Sequence, residues 1–256
     1  MNRGLRVVVV MPAFNAARTL EACVADVPRE WVDEIVLVDD ASRDDTVAIA
    51  ERLGLTVFRH RDNRGYGGNQ KTCYTEALAR GADVVVMVHP DHQYDPRIIP
   101  ELLEPLLAGA ADAVFGSRML GGRALAGGMP WWKYAANIAL TIMENAVLGL
   151  SLTEYHSGFR AYSRRYLEAV PFLLNSDAFV FDSEIIAQGV LAGARIVEVP
   201  IATRYFPEAS QIGFASSVCY GLAIVRMLLR FALHRTGLWR VAQFAPGRTA
   251  QAGGTA

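Results

Sequence analysis

Two periods of hydrophobic and polar positions alternate along the first hundred residues. Contiguous aliphatic runs, RVVVVM (6–11), EIVLVDD (34–40), LTVFRH (55–60) and ADVVVMVHPD (82–91), offer no polar face and predict strands covered on both sides. Between them the period lengthens to that of a helix. In AARTLEACVADV, Leu20, Val24 and Val27 share one face. SRDDTVAIAERLG (42–54) opens on a cap-like Ser42, carries Asp44 and Asp45 in its first turn and stops at Gly54. GYGGNQKTCYTEALARG (65–81) reads as a glycine-rich loop entering a helix. Further along come a helix in PRIIPELLEPLLAG, a short strand in DAVFGS, the glycine-rich loop MLGGRALAGGMP and a long helix from Trp131 to about Leu150. The segment TEYHSGFRAYSRRYLEAV shows neither period clearly. A helix near FDSEIIAQGVLAG, a strand RIVEVPI and an amphipathic helix over 214–235 follow.

Strand–helix alternation of this kind predicts an α/β fold, a mostly parallel central sheet with helices on both faces. The expected organisation is one catalytic domain over 1–212, an amphipathic C-terminal helix over 213–244 and a disordered tail over 245–256, where the composition turns small and polar. Ligands of such sheets bind beyond the carboxyl ends of the strands. Asn15, Asp39, Asp40, His89 and Asp91 all follow strands at that end.

Composition narrows the function. The chain has 256 residues, 52% hydrophobic and 20% charged, which supports a sizeable core. A net charge of −1 argues against a nucleic-acid binder. The charge is uneven: Arg204, Arg226, Arg230, Arg235, Arg240 and Arg248 lie in the last stretch against one acid, Glu208, which suits an anionic substrate or surface. Of the 25 basic residues only Lys71 and Lys133 are lysines. Three scattered cysteines, Cys23, Cys73 and Cys219, imply a reducing compartment without a disulfide frame. The apolar run at the N-terminus is too short for a signal peptide. No stretch of about 18 uncharged apolar residues occurs, which argues against a full transmembrane span.

Four pieces occur together in order: MPAFNAARTL at the first strand, VDDASRDDT after the second, HPDHQYDP after the fourth and HSGFRAYSR in the second half. Over roughly residues 5–210 the chain resembles the family 2 glycosyltransferases of the GT-A fold, in the branch of dolichol-phosphate mannose synthase and other polyprenyl-phosphate glycosyltransferases. The resemblance implies that Pro12, Ala13 and Asn15 lie against the nucleotide and that Asp40, supported by Asp39, hydrogen-bonds it. The alternative is that one of these acids only caps the helix near Ser42. Asn69 and Lys71, in the glycine-rich piece, are candidates for nucleotide contact; a glycine-capped surface turn is the plainer alternative. Arg118 would face the diphosphate, and Arg204 would cover it from a closing loop, with Tyr205 beside it.

The family pattern Asp-x-Asp-x-Gln here reads His89, Asp91, Gln93. Hard oxygen ligands suit Mg²⁺, while an imidazole shifts preference toward Mn²⁺ or Zn²⁺. Three readings stay open. Asp91 and Gln93 hold a divalent cation, Mg²⁺ or Mn²⁺, while His89 contacts the donor; or His89 itself ligates Mn²⁺; or metal dependence is weakened and arginines neutralise the diphosphate.

By the same resemblance Arg160 holds the acceptor phosphate, and an acid of FDSEI, Asp182 or Glu184, stands near the acceptor. A structural salt bridge from Arg160 to Asp182 or Glu184 is the alternative. A phosphate monoester, with a second pKa of about 6, is ionised near neutrality and needs positioning rather than a general base. The implied reaction is inverting transfer from a UDP- or GDP-sugar to a polyprenyl phosphate, with Asp91, Arg160 and Glu184 as the catalytic set. Transfer to a hydroxyl, or an inactive nucleotide-sugar-binding protein, are the competing readings.

In WWKYAANIALTIMENAVLGL, Lys133, Asn137, Thr141 and Asn145 form one polar stripe beside Trp131 and Trp132. In the last helix Arg226, Arg230 and His234 share a face, and Val218, Leu222, Val225 and Leu229 another. Both patterns suit a helix lying in a membrane interface, and hence a cytoplasmic enzyme peripheral to the inner face of a membrane. The same helices could instead pack on each other or make a homo-oligomer interface.

Overall fold

A computed structural model describes residues 4–122, 124–125, 127–203 and 214–245. Arg204, Tyr205 and the tail from 246 onward lie outside the described residues. Seven strands form one sheet: β1 (Val7–Ala13), β2 (Glu34–Asp39), β3 (Thr56–Arg59), β4 (Val84–Met87), β5 (Ala113–Ser117), β6 (Arg160–Ser163) and β7 (Ile196–Pro200). Their order is β3-β2-β1-β4-β6-β5-β7. Each pair is parallel except the two made by β6, which runs against β4 and β5. The mostly parallel α/β fold expected from the sequence is present.

Among the described residues eight α-helices cover the sheet: α1 (Leu20–Ala25), α2 (Thr46–Arg52), α3 (Gly65–Ala79), α4 (Ile99–Leu107), α5 (Trp131–Leu148), α6 (Arg164–Ala169), α7 (Phe181–Leu191) and α8 (Phe214–Arg235). Strand side chains alternate between faces, and the valine runs therefore feed two cores. Val8, Val10, Val36, Val38, Val85 and Met87 pack with Tyr74 of α3, Phe181 and Ile185 of α7 and Phe231 of α8. Val7, Val9, Met11, Leu37, Val84 and Val86 pack with Leu20 of α1, Ala50 of α2 and Leu102 and Leu103 of α4. This double burial is why the strands read as unbroken aliphatic runs.

Two local features differ from the expectation. RAYS (160–163) is a strand, the antiparallel β6, although its polar ends hide the strand period. The glycines of 65–68 are not a loop before α3 but its first turn. Their lack of a side chain serves packing. A Cβ on Gly67 would stand 2.3 Å from the Ser176 carbonyl oxygen and 2.9 Å from the Phe181 Cβ. Backbone cannot yield as a flexible side chain can, and overpacking costs about 1–3 kcal/mol. Gly67→Ala is therefore expected to lose that much stability, read as a lower urea midpoint with an unchanged slope.

Candidate active site

A cavity of about 850 Å³ opens at the carboxyl ends of β1, β2 and β4. Its floor is the pair of turns after β1 and β2. Asn15 adopts a left-handed backbone, φ 52°. Its N–H donates to Ser42 Oγ at 2.8 Å, and its Oδ1 accepts the Arg43 N–H at 2.9 Å. Pro12, Ala13, Asn15 and Asp40 line the cavity; Asp39 does not. Asp39 Oδ2 accepts the Ser42 N–H at 3.1 Å, while its Oδ1 is buried with no hydrogen-bond partner among the described residues.

The start of α3 already holds an anion. Asp40 accepts the Arg64 N–H at 2.8 Å and the Gly65 N–H at 3.0 Å, and its Oδ1 lies 2.7 Å from His60 Nδ1. Helix N-termini attract anions, and this one is capped by the chain itself. Capping was the expected alternative for one of these acids, though at the helix near Ser42; the helix capped is α3. Asn69 also lines the cavity and donates to the Val38 carbonyl at 3.0 Å, tying α3 to the end of β2. Lys71 does not line it. Its ammonium donates to the Asn175 carbonyl and to Asp177 Oδ1 (2.7 Å) on the far side of the helix.

At the end of β4, His89, Asp91 and Gln93 all face the cavity. Asp91 Oδ1 accepts the Gln93 N–H at 3.1 Å, a local turn that presents the carboxylate. His92, with φ 58°, turns the other way and meets Asp26 at 3.0 Å. The His89 ring stacks on Tyr66, centroids 5.6 Å apart and planes within 9°. Only a glycine at 158 admits it, since a Cβ there would lie 2.4 Å from His89 Nε2. Burial pushes the His89 pKa down, against Asp91 and Asp182, so the imidazole is neutral near pH 7. No group of three His, Cys, Asp or Glu side chains stands close enough to hold a metal ion among the described residues.

The second half rearranges the expected acceptor side. Arg160 is buried and absent from the cavity wall. Its guanidinium donates to the carbonyls of Ser157 (2.7 Å), Tyr155 (2.6 Å) and Asp182 (3.1 Å), stands 3.5 Å from the Asp182 carboxylate and lies over the Phe115 ring at 4.9 Å. The expected phosphate contact is thus replaced by the structural alternative, because β6 points this side chain down between sheet and α7. Glu184 is also turned away: its Oε2 accepts the Ser176 N–H at 2.6 Å, and burial raises its pKa. Asp182, two residues earlier, lines the cavity and accepts from Tyr66 Oη (2.7 Å) and Gln70 Nε2 (3.0 Å).

Two cationic side chains of Arg and Lys type line the cavity among the described residues, Arg118 and Lys133. Arg118 is clamped by the buried Glu154 through Nε at 2.8 Å and through Nη2, and also donates to the His156 carbonyl at 3.2 Å. Lys133, in the first turn of α5, makes no ion pair among the described residues; its ammonium lies 5.3 Å from the Trp132 ring centre, and burial followed by Arg118 lowers its pKa. The polar stripe of α5 faces inward. Asn137 donates to Glu154 at 2.8 Å, and Asn145 brackets the backbone of Leu152. Tyr66, His156 and Tyr220 are lining residues that sequence reasoning did not place at the site, and of the two acids expected near the acceptor Asp182 is the one that lines the cavity. The usable signals were the rarity of lysine at Lys133 and an acid opening α7 at Asp182.

Similarity to known proteins agrees with this geometry. Residues 8–170 match the description Glycosyl transferase family 2. The undecaprenyl-phosphate mannosyltransferase of Micrococcus luteus is 31% identical over 208 residues, covering 77% of this chain and 83% of that one. The UDP-N-acetylglucosamine–dolichyl-phosphate N-acetylglucosaminyltransferase of Methanococcus voltae is 26% identical over 238 residues, covering 86% and 94%. Glucosyl-3-phosphoglycerate synthase from Mycobacterium tuberculosis, solved with Mn²⁺, UDP and phosphoglyceric acid, superposes with a TM-score of 0.70 at 22% identity, over 90% of this chain and 80% of that one, a likeness of fold. With a mixed sheet of this order, an acid-bearing turn at the end of β4 and a cavity shared by both halves, the chain belongs to glycosyl transferase family 2 and is a glycosyltransferase.

Proposed function

We propose that the protein transfers a sugar, with inversion, from a UDP- or GDP-sugar to a polyprenyl phosphate at a membrane surface. The observation that carries the acceptor is Lys133, a cation on the cavity wall without an ion pair among the described residues, beside the clamped Arg118. A phosphate monoester already carries the nucleophilic charge, so cationic positioning suffices and no base is required. The activities of the Methanococcus and Micrococcus relatives, both on polyprenyl phosphates, support the same reading.

The donor fits over the turns after β1 and β2, with its diphosphate toward Asp91. His89, Asp91 and Gln93 fit a divalent cation, Mg²⁺ or Mn²⁺, provided that phosphate oxygens of the donor complete its shell, since the chain alone supplies too few ligands. Such a cation, when bound, neutralises charge on the departing diphosphate. Neutral His89 offers a hydrogen bond rather than a second charge. The chain's own part is to hold both substrates in line: Asp91 at the departing side, Lys133 and Arg118 at the incoming phosphate, and Tyr66 and Asp182 between them.

The outer faces of α5 and α8 support a membrane-surface location. Ile138, Ile142 and Met143 of α5 and Val218, Leu222, Leu229 and Leu233 of α8 are exposed, and Trp131 at the start of α5 is 77% exposed. Over Ser216–Arg235 α8 is long and apolar enough to cross a membrane by length and composition. Yet Ile224, Met227, Leu228 and Phe231 are packed in the protein core, which favours a helix lying along the surface. A homo-oligomer would cover the same faces, and sedimentation velocity with and without anionic vesicles separates the two.

Transfer of radiolabelled sugar from UDP- and GDP-sugars to polyprenyl phosphate, against a panel of hydroxyl acceptors, tests the function. Lys133→Met is expected to raise the KM for the lipid phosphate by about 10- to 100-fold, the scale of one charge-assisted hydrogen bond, with the donor KM and the melting temperature unchanged. The second reading, a hydroxyl acceptor, rests on Asp182 at the cavity wall as base. It would be upheld by transfer to a hydroxyl that Asp182→Asn abolishes.

A further inference from the structure

A group of buried polar side chains lies behind the acceptor side of the cavity, each from a different element. Glu144 of α5 is fully buried. Its Oε1 accepts from the Ser183 hydroxyl of α7 at 2.6 Å. Its Oε2 stands 3.4 Å from Nε2 of His156, in the turn before β6, and neither atom has a hydrogen-bond partner among the described residues. On its other side His156 Nδ1 lies 3.1 Å from the hydroxyl of Tyr220 on α8. His156 and Tyr220 line the cavity; Glu144 and Ser183 do not.

Two lone pairs cannot face each other in a buried site without cost. One proton must therefore sit between Glu144 Oε2 and His156 Nε2. With Glu144 protonated, the contacts run one way: Ser183 donates to Glu144, Glu144 to His156 Nε2 and His156 Nδ1–H to the Tyr220 hydroxyl. Full burial without an Arg or Lys ion pair among the described residues favours this neutral acid over a carboxylate.

We propose that Glu144 and Ser183 are positioning residues: through this chain of contacts they fix His156 and Tyr220, by which the turn before β6 and helix α8 wall the acceptor side of the cavity. The inference rests on the proposed function only in taking this cavity as the place of transfer. Burial pushes Glu144 up to about 8, with the Ser183 bond and Arg160 acting against it. Burial pushes His156 down to about 3, with Glu154 opposing and Arg118 and Arg160 adding to it. Tyr155, Asp182 and Tyr220 are the other titratable groups facing these contacts.

The neutral pair has a pH signature. Unfolded, the carboxyl titrates near 4.5 and the imidazole near 6.5. Between those values the unfolded chain carries Glu⁻ and His⁺ and the folded chain the neutral pair, one proton in each state, so the pair adds no slope. Above 6.5 the unfolded pair holds no proton while folded Glu144 keeps one until about 8, and stability falls as pH rises through that window. Below 4.5 the unfolded pair holds two protons, and stability falls as pH drops.

The test compares wild type with Glu144→Gln, Glu144→Leu and Tyr220→Phe. The Gln amide can accept from Ser183 and donate to His156, as the protonated acid does. Wild type is expected to lose melting temperature between about pH 6.5 and 8, and Glu144→Gln to stay level there. Glu144→Gln keeps transfer within about 3-fold, whereas Glu144→Leu and Tyr220→Phe raise the acceptor KM by roughly 10-fold and the donor KM less. Superimposable melting curves of wild type and Glu144→Gln across this window overturn the proposal. So does an acceptor KM in Tyr220→Phe equal to that of wild type. Should lipid phosphate not be a substrate, wild type itself fails to transfer to it, and the melting curves still decide the Glu144–His156 pair.

Discussion

Replacing Asp91 by alanine is expected to lower sugar transfer by about 100- to 1000-fold, the range found when one group that stabilises developing charge is removed from a water-poor site. The melting temperature should stay within a degree or two of wild type, because the side chain makes only a local bond to the Gln93 N–H and faces open space. Asp91 is the carboxylate of the His89–Asp91–Gln93 turn; being an anion, it would act at the departing side by holding a divalent cation, which would neutralise charge on the diphosphate. The measurement is initial-rate transfer of labelled sugar with Mg²⁺ or Mn²⁺ added, together with a melting curve. Activity within 10-fold of wild type would remove Asp91 from the departing side and leave charge neutralisation to the cations Lys133 and Arg118.

Removing the Arg160 guanidinium, as in Arg160→Met, is expected to destabilise the fold by about 3–5 kcal/mol, the cost of breaking a buried, hydrogen-bonded charge. For a chain of this length that is a fall of roughly 10 °C in melting temperature. The reason is geometric. The guanidinium satisfies the carbonyls of Tyr155, Ser157 and Asp182 and compensates the Asp182 carboxylate. Removing it orphans three carbonyls and leaves a buried acid without its cation. Arg160→Lys should recover little, because one ammonium cannot span three carbonyls as a planar fork does. An arginine that held the acceptor phosphate would behave oppositely, with an unchanged melting temperature and a raised acceptor KM. The two outcomes are read from one pair of measurements.

Six of the seven strands and the two cores were legible in the chain. Central parallel strands are covered on both faces, so their residues must be aliphatic throughout, and valine runs such as 7–10 and 84–86 announce this without any tertiary information. The acid-bearing turn after β4 was legible too, because a short polar cluster at the end of such a run falls at the binding edge of a sheet. β6 was not, since four residues with polar ends carry too little alternation to stand out.

Side-chain direction was the part that only packing settled. Asp182 and Glu184 open the same helix, but residues two apart on a helix lie about 200° apart around its axis. Asp182 therefore meets Tyr66 and the cavity, and Glu184 meets the Ser176 backbone. Arg160 looked like a free cation in a small turn and is a buried strut, because β6 aims it beneath the cavity. Asp40 looked like a nucleotide ligand and also caps α3, whose start was hidden inside a glycine run. Residue order along the chain dictated which elements form and at which edge of the sheet chemistry gathers. Which member of each polar pair reaches that edge was decided by neighbours brought from a hundred residues away, since a charged side chain turns toward whichever partner satisfies it when water is excluded.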